Sequence, residues 1–524
     1  MNFKALGKIL GKIMILESVL MLAPFLMSII YNESFYHKIA FVIPISALCL
    51  IGLLLQIPKP KRKSLYQKEG FALVALVWIV MALFGAIPFT INGDIPNYID
   101  ACFEIMSGFT TTGASVIPDI SIVSHSTLFW RSFSHWIGGM GILVFVLIFI
   151  PESSDGSSMH LLRAESPGPQ VGKIASKMKV TARILYLIYL SLTVIEIIVL
   201  MCGPLIDNSA LVADNYASCE GDKFFYSMLT AFGCAGTGGF GFIPGSFQYF
   251  TPYAQYVVSI FLLIFGCNFA LYYLILLGKI KDVFKSEEFR AYIFITIASV
   301  SVIFVSLLTK MSAIYSAEGA FRHSLFQVAS IMTTTGYSTT DFNLWPMAAQ
   351  TVLIILMFMG AMAGSTAGGM KTSRIVIATK GSYINIRKLI NPRYVPKMKI
   401  EGKTLDSKTV NDVFAFITMY VFILFIVVFL LAFDPANGTL TPVVSDLSEK
   451  LNNETVHHGF YTNFSAALSC ISNIGPGFEA VGPYLSFACY NNFSTFILTL
   501  TMLLGRLEIL PVLILFTPRT WKRT

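Results

Sequence analysis

The segment TTTGYSTT (333–340) interrupts a strongly apolar background, and three others share its setting: TTTGAS (110–115), CAGTGGFG (234–241) and SNIGPGF (472–478). They carry Gly113, Gly239, Gly336 and Gly475 at one matched point, which implies a single unit used four times around a shared axis. An ion leaves water for a membrane interior only when oxygens replace its hydration shell, and backbone carbonyls from four equivalent loops can supply them. Glycine suits such loops because it adopts φ > 0 without penalty, which lets successive carbonyls face inward. One TTG or GGFG alone reads as an ordinary turn. Four in like surroundings do not.

Working outward, the chain has 524 residues, 55% hydrophobic and only 13% charged, with a mean hydropathy of +0.70. A soluble domain would carry about 25% charged residues, so this is a polytopic, all-α membrane protein. Apolar stretches long enough to span a bilayer lie near 11–31, 39–57, 70–91, 126–150, 182–203, 252–278, 290–309, 347–380, 410–433 and 492–516. The first two form a hairpin, retained rather than cleaved because no small-residue cleavage site follows. The other eight bracket the glycine segments in pairs. Before each glycine lies a stretch too short to cross: YIDACFEIMSGF, KFFYSMLTAFG, FRHSLFQVASIM and FYTNFSAALSCI. Six residues ahead of the glycines stand Ser107, Gly233, Ser330 and Ser469, all small enough for close packing. The expected organisation is a hairpin (1–64) and four pseudo-symmetric repeats of helix, half-helix, glycine segment and helix around one pore: 65–160, 161–286, 287–404 and 405–524.

Charge orients this arrangement. Lys59, Lys61, Arg62 and Lys63, then Lys173, Lys177, Lys179 and Arg183, then Lys279, Lys281 and Lys285, then Arg387 to Lys399 fall between repeats, and Arg519, Lys522 and Arg523 end the chain. By the positive-inside rule these loops and both termini are cytoplasmic, and the glycine segments face outward. The opposite loops are acidic, with Asp94, Asp100, Asp207, Asp222 and Asp434 among their residues. Membrane orientation accounts for the net charge of +8; no basic stretch is interleaved with stacking aromatics, so nucleic-acid binding is excluded.

Two further features bear on the pathway. The span near 347–380 contains GAMAGSTAGG (360–369), and each glycine inside a helix costs about 1 kcal/mol relative to alanine. The run is either a break, tolerated where it lines water or is buried in protein, or a small-residue packing face. Arg506 sits inside the last apolar span, where facing lipid would cost at least about 2.5 to 3.5 kcal/mol, so it faces the pathway or a partner helix. Glu508, two residues on, points to a different face.

These pieces carry a resemblance. FEIMSGFTTTGASV, WRSFSHWIGGMGILVF, AESPGP, GTGGFG, IMTTTGYSTTDFNLWP, AGSTAGGMKTSR, SNIGPGF and MLLGRLEILPVLILF together are similar to the Trk/Ktr/HKT superfamily of potassium transporters, most to its bacterial TrkH branch, over nearly the full length. The resemblance implies a homodimer in a bacterial inner membrane with potassium as the transported ion and no covalently bound cofactor. It also implies a cytosolic regulatory ring of the TrkA type that carries the nucleotide. Carried over by position, the selectivity filter would be Thr111, Thr112 and Gly113; Thr237, Gly238 and Gly239; Thr334, Thr335 and Gly336; and Asn473, Ile474 and Gly475. The second and fourth segments depart from Thr-Thr-Gly. Relatives with serine at the first filter position tend to pass sodium, and Gly113 favours potassium. The gate would be the intramembrane run including Gly360, Gly364, Ser365, Thr366, Gly368 and Gly369, with Arg506 adding a positive barrier.

The remaining polar residues are structural expectations. Glu104 and Arg131 read as partners buried between repeats; Asp119, Asp341 and Glu479 read as solvated loop charge or as concentrators of cations at the mouth. His135, His457 and His458 have no ligand-spaced neighbours and are assigned no metal, Cys202 and Cys219 could pair, and the sequons at Asn437, Asn453 and Asn492 are read as chance. No enzyme constellation of acids, histidines or a nucleophile is present. A proton- or sodium-coupled symporter is the alternative, disfavoured because the spans are nearly charge-free and the repeats share one orientation.

Overall fold

The structure, a computed structural model, describes residues 2–58, 67–141, 178–207, 221–391, 393, 398–442 and 455–521. It is helical apart from three short strand pairs: Met359–Gly360 with Met370–Lys371 in parallel, Lys399–Ile400 with Lys403–Thr404, and Leu440–Pro442 with Thr455–His457. Among the described residues six helices are long and apolar enough to cross a membrane: Phe3–Ile30, Phe35–Leu54, Lys68–Ile91, Val180–Cys202, Glu287–Lys310 and Ser407–Leu431. The AESPGP segment, Cys219, Asn453 and the basic residues Lys59 to Lys63, Lys173, Lys177, Lys397, Lys522 and Arg523 lie outside the described residues.

Four shorter helices precede the glycine segments: Tyr98–Phe109, Lys223–Gly236, Ala317–Met332 and Phe460–Ser472. All four end alike. The residue two before each glycine, Thr111, Thr237, Thr334 or Asn473, takes a left-handed φ between 54° and 57°. The amide after it then reaches back to close a six-residue turn, Thr112 to the Ser107 carbonyl (2.8 Å), Gly238 to Gly233 (2.8 Å), Thr335 to Ser330 (2.8 Å) and Ile474 to Ser469 (3.0 Å). This is the Schellman end of a helix, and it turns the chain sharply without leaving carbonyls unsatisfied. The small residues six before the glycines are therefore the acceptors of this turn.

The short helices pack in cyclic order. Lys223–Gly236 lies on His125–Gly139, Ala317–Met332 on Pro252–Phe265, Phe460–Ser472 on Met347–Phe358, and Tyr98–Phe109 on Asn492–Arg506. Each therefore leans on the helix that follows the previous glycine segment, and the last step returns to the first.

Those following helices are not continuous, and of their breaks only the one at 360–369 is among the readings of the sequence. The 252–278 stretch is two helices, Pro252–Phe265 and Phe269–Leu276, bent by 90°. The 347–380 stretch breaks between Phe358 and Thr372, and the last stretch breaks after Arg506, where Glu508 and Ile509 have φ of 54° and 68°. The helix from His125 ends at Gly139, and residues from 142 lie outside the described set. Hydropathy misses such breaks because the interrupting residues are themselves small or apolar. Broken backbone at this depth needs partners, and the breaks supply them to one another. Met362 N donates to the Gly266 carbonyl (3.1 Å), Phe269 N to the Gly364 carbonyl (3.0 Å), and Thr366 Oγ1 to the Phe265 carbonyl (3.3 Å).

Candidate functional site: four glycine turns and the loop beneath them

Gly113, Gly239, Gly336 and Gly475 have φ of 80°, 78°, 90° and 105°, a region from which side chains are sterically discouraged. Their neighbours are as telling as their dihedrals. A Cβ on Gly113 would overlap the Gly238 carbonyl oxygen, one on Gly239 the Thr335 oxygen, and one on Gly336 the Ile474 oxygen. The cycle closes at Gly475, whose Cβ would lie 2.8 Å from the Thr112 oxygen. Each glycine thus abuts the carbonyl one residue before the glycine of the next segment. All four glycines line one cavity of about 150 Å³, together with residues such as Ser115, Phe240, Pro476 and Phe487. The second and fourth segments, despite their different sequences, adopt the dihedrals of the first and third.

The turns are braced from behind. His135 Nδ1 lies 2.8 Å from the Gly108 carbonyl, and its Nε2 accepts from Phe240 N (3.3 Å), so the ring is neutral with its proton on Nδ1 and ties the first short helix to the second segment. Glu104 and Arg131, 0% and 2% exposed, form a 2.7 Å ion pair. Glu104 also accepts from Val116 N (2.9 Å) and Ser115 Oγ (3.0 Å), while Arg131 donates to the Gly241 carbonyl (3.2 Å) and stacks over Phe240. A buried pair this well satisfied joins the first segment to the second.

At the end of the turns away from the cavity sit the loop 361–369 and Arg506. Arg506 Nη1 donates to Thr111 Oγ1 (3.1 Å) and to the Thr366 carbonyl (3.0 Å); Nη2 donates to the Gly138 carbonyl and to that of Gly139 (3.0 Å). Its charge thereby satisfies the open carbonyl end of the His125–Gly139 helix. Gly368 N donates to Thr334 Oγ1 (2.6 Å), and a Cβ at Gly368 would come within 2.6 Å of the Ser472 carbonyl oxygen. Gly360 packs as closely on Gly368, Gly364 lies against the Asn268 side chain, and Ser365 Oγ bonds the Met362 carbonyl (2.7 Å). Glu508 does not meet Arg506 but pairs with Arg374, which also stacks over Phe416.

Two contributors escaped sequence reasoning. Glu288 Oε1 accepts from Ala363 N (2.7 Å) and Ser373 N (3.1 Å), clasping both ends of the loop. Asn268 caps Phe269–Leu276 and lines the loop at Gly364. An acidic pair opening a span, Glu287-Glu288, is a helix-start signal; nothing local tells which distant amides it meets.

The mouth residues divide. Asp119 is exposed and holds Ser121 N (2.9 Å), whereas Asp341 is 2% exposed and accepts from Asn343 N (3.0 Å), so Asp341 is not solvated loop charge. Glu479 accepts from Thr462 Oγ1 (2.9 Å). The Cys202–Cys219 question falls outside the described residues.

Residues 37–523 match the family described as TrkH, cation transport protein. The chain is 35% identical over 530 residues to the Trk system potassium uptake protein TrkH of Vibrio parahaemolyticus, covering 100% of both. It is 33% identical over 529 residues to the protein of that name in Escherichia coli strain K12, again covering 100% of both. The crystal structure of the potassium transporter TrkH from Vibrio parahaemolyticus is similar throughout, with a TM-score of 0.81, 32% identity and 100% of each chain covered.

Proposed function

The chain belongs to the TrkH family of cation transport proteins, and from that membership we propose that it takes up potassium across a bacterial cytoplasmic membrane through a channel-like pore. The observation that carries this reading is the closed cycle of four glycine turns opening into one cavity. In it the carbonyls of Thr111, Thr112, Thr237, Gly238, Thr334, Thr335, Asn473 and Ile474, with those of the four glycines, replace the hydration shell of a potassium ion. Such sites need no acid or histidine cluster; the ligands are main-chain dipoles.

Below the filter the loop around Gly360 to Gly369 and the Arg506 guanidinium obstruct the path, the latter by charge as well as bulk. Passage follows when the loop is drawn aside. The control is a nucleotide-binding cytosolic ring docking on the basic surface near Arg387, and the protein works as a homodimer with both termini cytoplasmic; the lysine and arginine distribution supports this orientation. Proton coupling is the second reading. It is favoured by Glu17, 0% exposed within an apolar helix, whose carboxyl oxygens have no hydrogen-bond partner among the described residues, and by Glu196, equally buried in an apolar helix beside the Cys234 thiol.

The test is rubidium uptake in a strain lacking its own potassium uptake. Gly113→Ser and Gly336→Ser, at verified abundance, are expected to lose preference for potassium over sodium, and Arg506→Ala to raise flux. Unaltered preference in both glycine variants would refute the filter, and unchanged or lower flux in the arginine variant would refute the barrier.

A further inference from the structure

The two obstructing elements do not merely lie under the filter; they hold its innermost side chains. Four residues occupy the left-handed position two before each glycine, and the side chains of three of them, Thr111, Thr334 and Asn473, meet Arg506 or the loop. Thr111 Oγ1 accepts from Arg506, and Thr334 Oγ1 accepts from Gly368 N at 2.6 Å. Thr237 turns its hydroxyl back to the Gly236 carbonyl (2.6 Å). Asn473 donates to Thr112 Oγ1 (3.0 Å) and the Met502 carbonyl (2.9 Å), which leaves its Oδ1 buried with no donor among the described residues. That oxygen lies between the loop and the last helix: a Cβ on Gly368 would lie 3.3 Å from it and one on Gly505 2.8 Å. A fully buried acceptor without a donor is destabilising unless something electropositive visits it.

We propose that the side-chain oxygens of Thr111, Thr334 and Asn473 form an inner cation position whose occupancy and loop closure exclude one another. With the loop in place, Gly368 N–H and the Arg506 guanidinium satisfy two of the three oxygens, and the third, Asn473 Oδ1, is left without a donor among the described residues. With the loop withdrawn, the same oxygens are left with lone pairs free for the ion pathway, two hydroxyls and an amide carbonyl, a neutral set suited to a dehydrated monovalent cation. Potassium arriving at this position therefore competes directly with the donors that keep the path shut. A bound ion can shift the open–closed balance only through its preference for one state, and here that preference is built in, since the closed state leaves one of the three oxygens free and the open state all three. The inference rests on the filter reading above.

The experiment uses the purified full-length protein in planar bilayers without its regulatory partner, comparing open fraction at low and high potassium against matched choline. The wild type is expected to open more as potassium rises, with choline inert. Thr334→Val keeps the shape but removes the acceptor; it should raise the open fraction at low potassium about two- to tenfold, the worth of one neutral hydrogen bond, and flatten the potassium dependence. Thr334→Ser should restore both, and Thr111→Val, which strips the acceptor of Arg506, is the second variant should Thr334→Val fail to fold. Valine variants with the open fraction and potassium dependence of the wild type would overturn the exclusion. Gly336→Ser in the same bilayers separates the two ideas: unchanged potassium over sodium preference there defeats the filter itself, while altered preference beside unmoved valine variants defeats the exclusion alone.

Discussion

At Gly239 and Gly402 the backbone passes through the same left-handed region, φ of 78° and 72°, yet a Cβ at Gly239 would overlap the Thr335 oxygen whereas one at Gly402 meets open space. The conformational strain of a side chain, about 1 to 2 kcal/mol, is common to both; the contact is not. Sequence alone made Gly239 legible through its recurrence with Gly113, Gly336 and Gly475, but the carbonyl it abuts belongs to a segment about a hundred residues away and leaves no local trace. Asp341 shows the opposite failure. As an acid just beyond a turn it reads as solvated, yet burial pushes its carboxyl up to about 6 despite the Asn343 amide that favours the ionised form. Because the folded value lies above the ordinary value of 3.8, the native chain holds a proton that the unfolded chain releases between these two values. Its contribution to stability is therefore complete below about 3.8 and lost as pH rises through about 6. Asp341→Asn keeps the acceptor for Asn343 N and is expected to stabilise the purified protein by on the order of 2 kcal/mol at pH well above 6, with the gain vanishing in acid. Thermal unfolding of both proteins across that range decides it, and a gain of equal size at every pH would remove the titration from the account.

The loop 361–369 is held as an element, not by any one glycine. Its two ends hydrogen-bond one carboxylate, Glu288, at the start of the Glu287–Lys310 helix, and that helix start is in turn capped by Glu401, which accepts from Ser286 Oγ (2.8 Å) and Glu287 N (2.9 Å). Glu401 lies in the strand pair Lys399–Thr404, so a pull on this hairpin reaches the loop through a short chain of hydrogen bonds. Glu288→Ala frees both ends and is expected to raise partner-independent rubidium flux several-fold; Glu288→Gln, which retains an acceptor oxygen, should do so far less. Equal effects of the two would show that the loop does not depend on this clasp. The glycine run announced a break in the sequence, and its poor helix propensity was the physical signal. What the run could not announce was the matching 90° bend after Phe265, because Gly266-Cys267-Asn268 is too short to disturb a hydropathy profile. Each break is intelligible only once the other is present to receive its hydrogen bonds.

Across the whole molecule the four segments are joined at two levels, and the upper one is a second closed circuit. Arg131 reaches the Gly241 carbonyl at 3.2 Å, Phe247 N the Ser338 carbonyl at 2.8 Å, Glu479 N the Asn343 Oδ1 at 2.9 Å, and Phe487 N the Ser115 carbonyl at 2.8 Å, so segments one to four are linked in order and back to the first. Three of these links are neutral hydrogen bonds, whereas the first depends on the buried Glu104–Arg131 pair. That step is the circuit's most sensitive point, because removing one member of a buried pair strands the other charge and costs about 3 to 5 kcal/mol. Glu104→Ala and Arg131→Ala are each expected to lower the unfolding free energy by about that amount, and the double variant by clearly less than their sum. The lower level, held by Arg506 and the loop, is hydrogen-bonded to different atoms of the same segments. Damage to the upper circuit should therefore erode potassium preference while leaving the response of flux to Arg506→Ala intact in the molecules that survive. Measuring unfolding of the four proteins, and rubidium flux with and without competing sodium on each in the presence and absence of Arg506→Ala, separates the levels, and additive losses from the two single variants would mean that the pair is not what joins the first segment to the second.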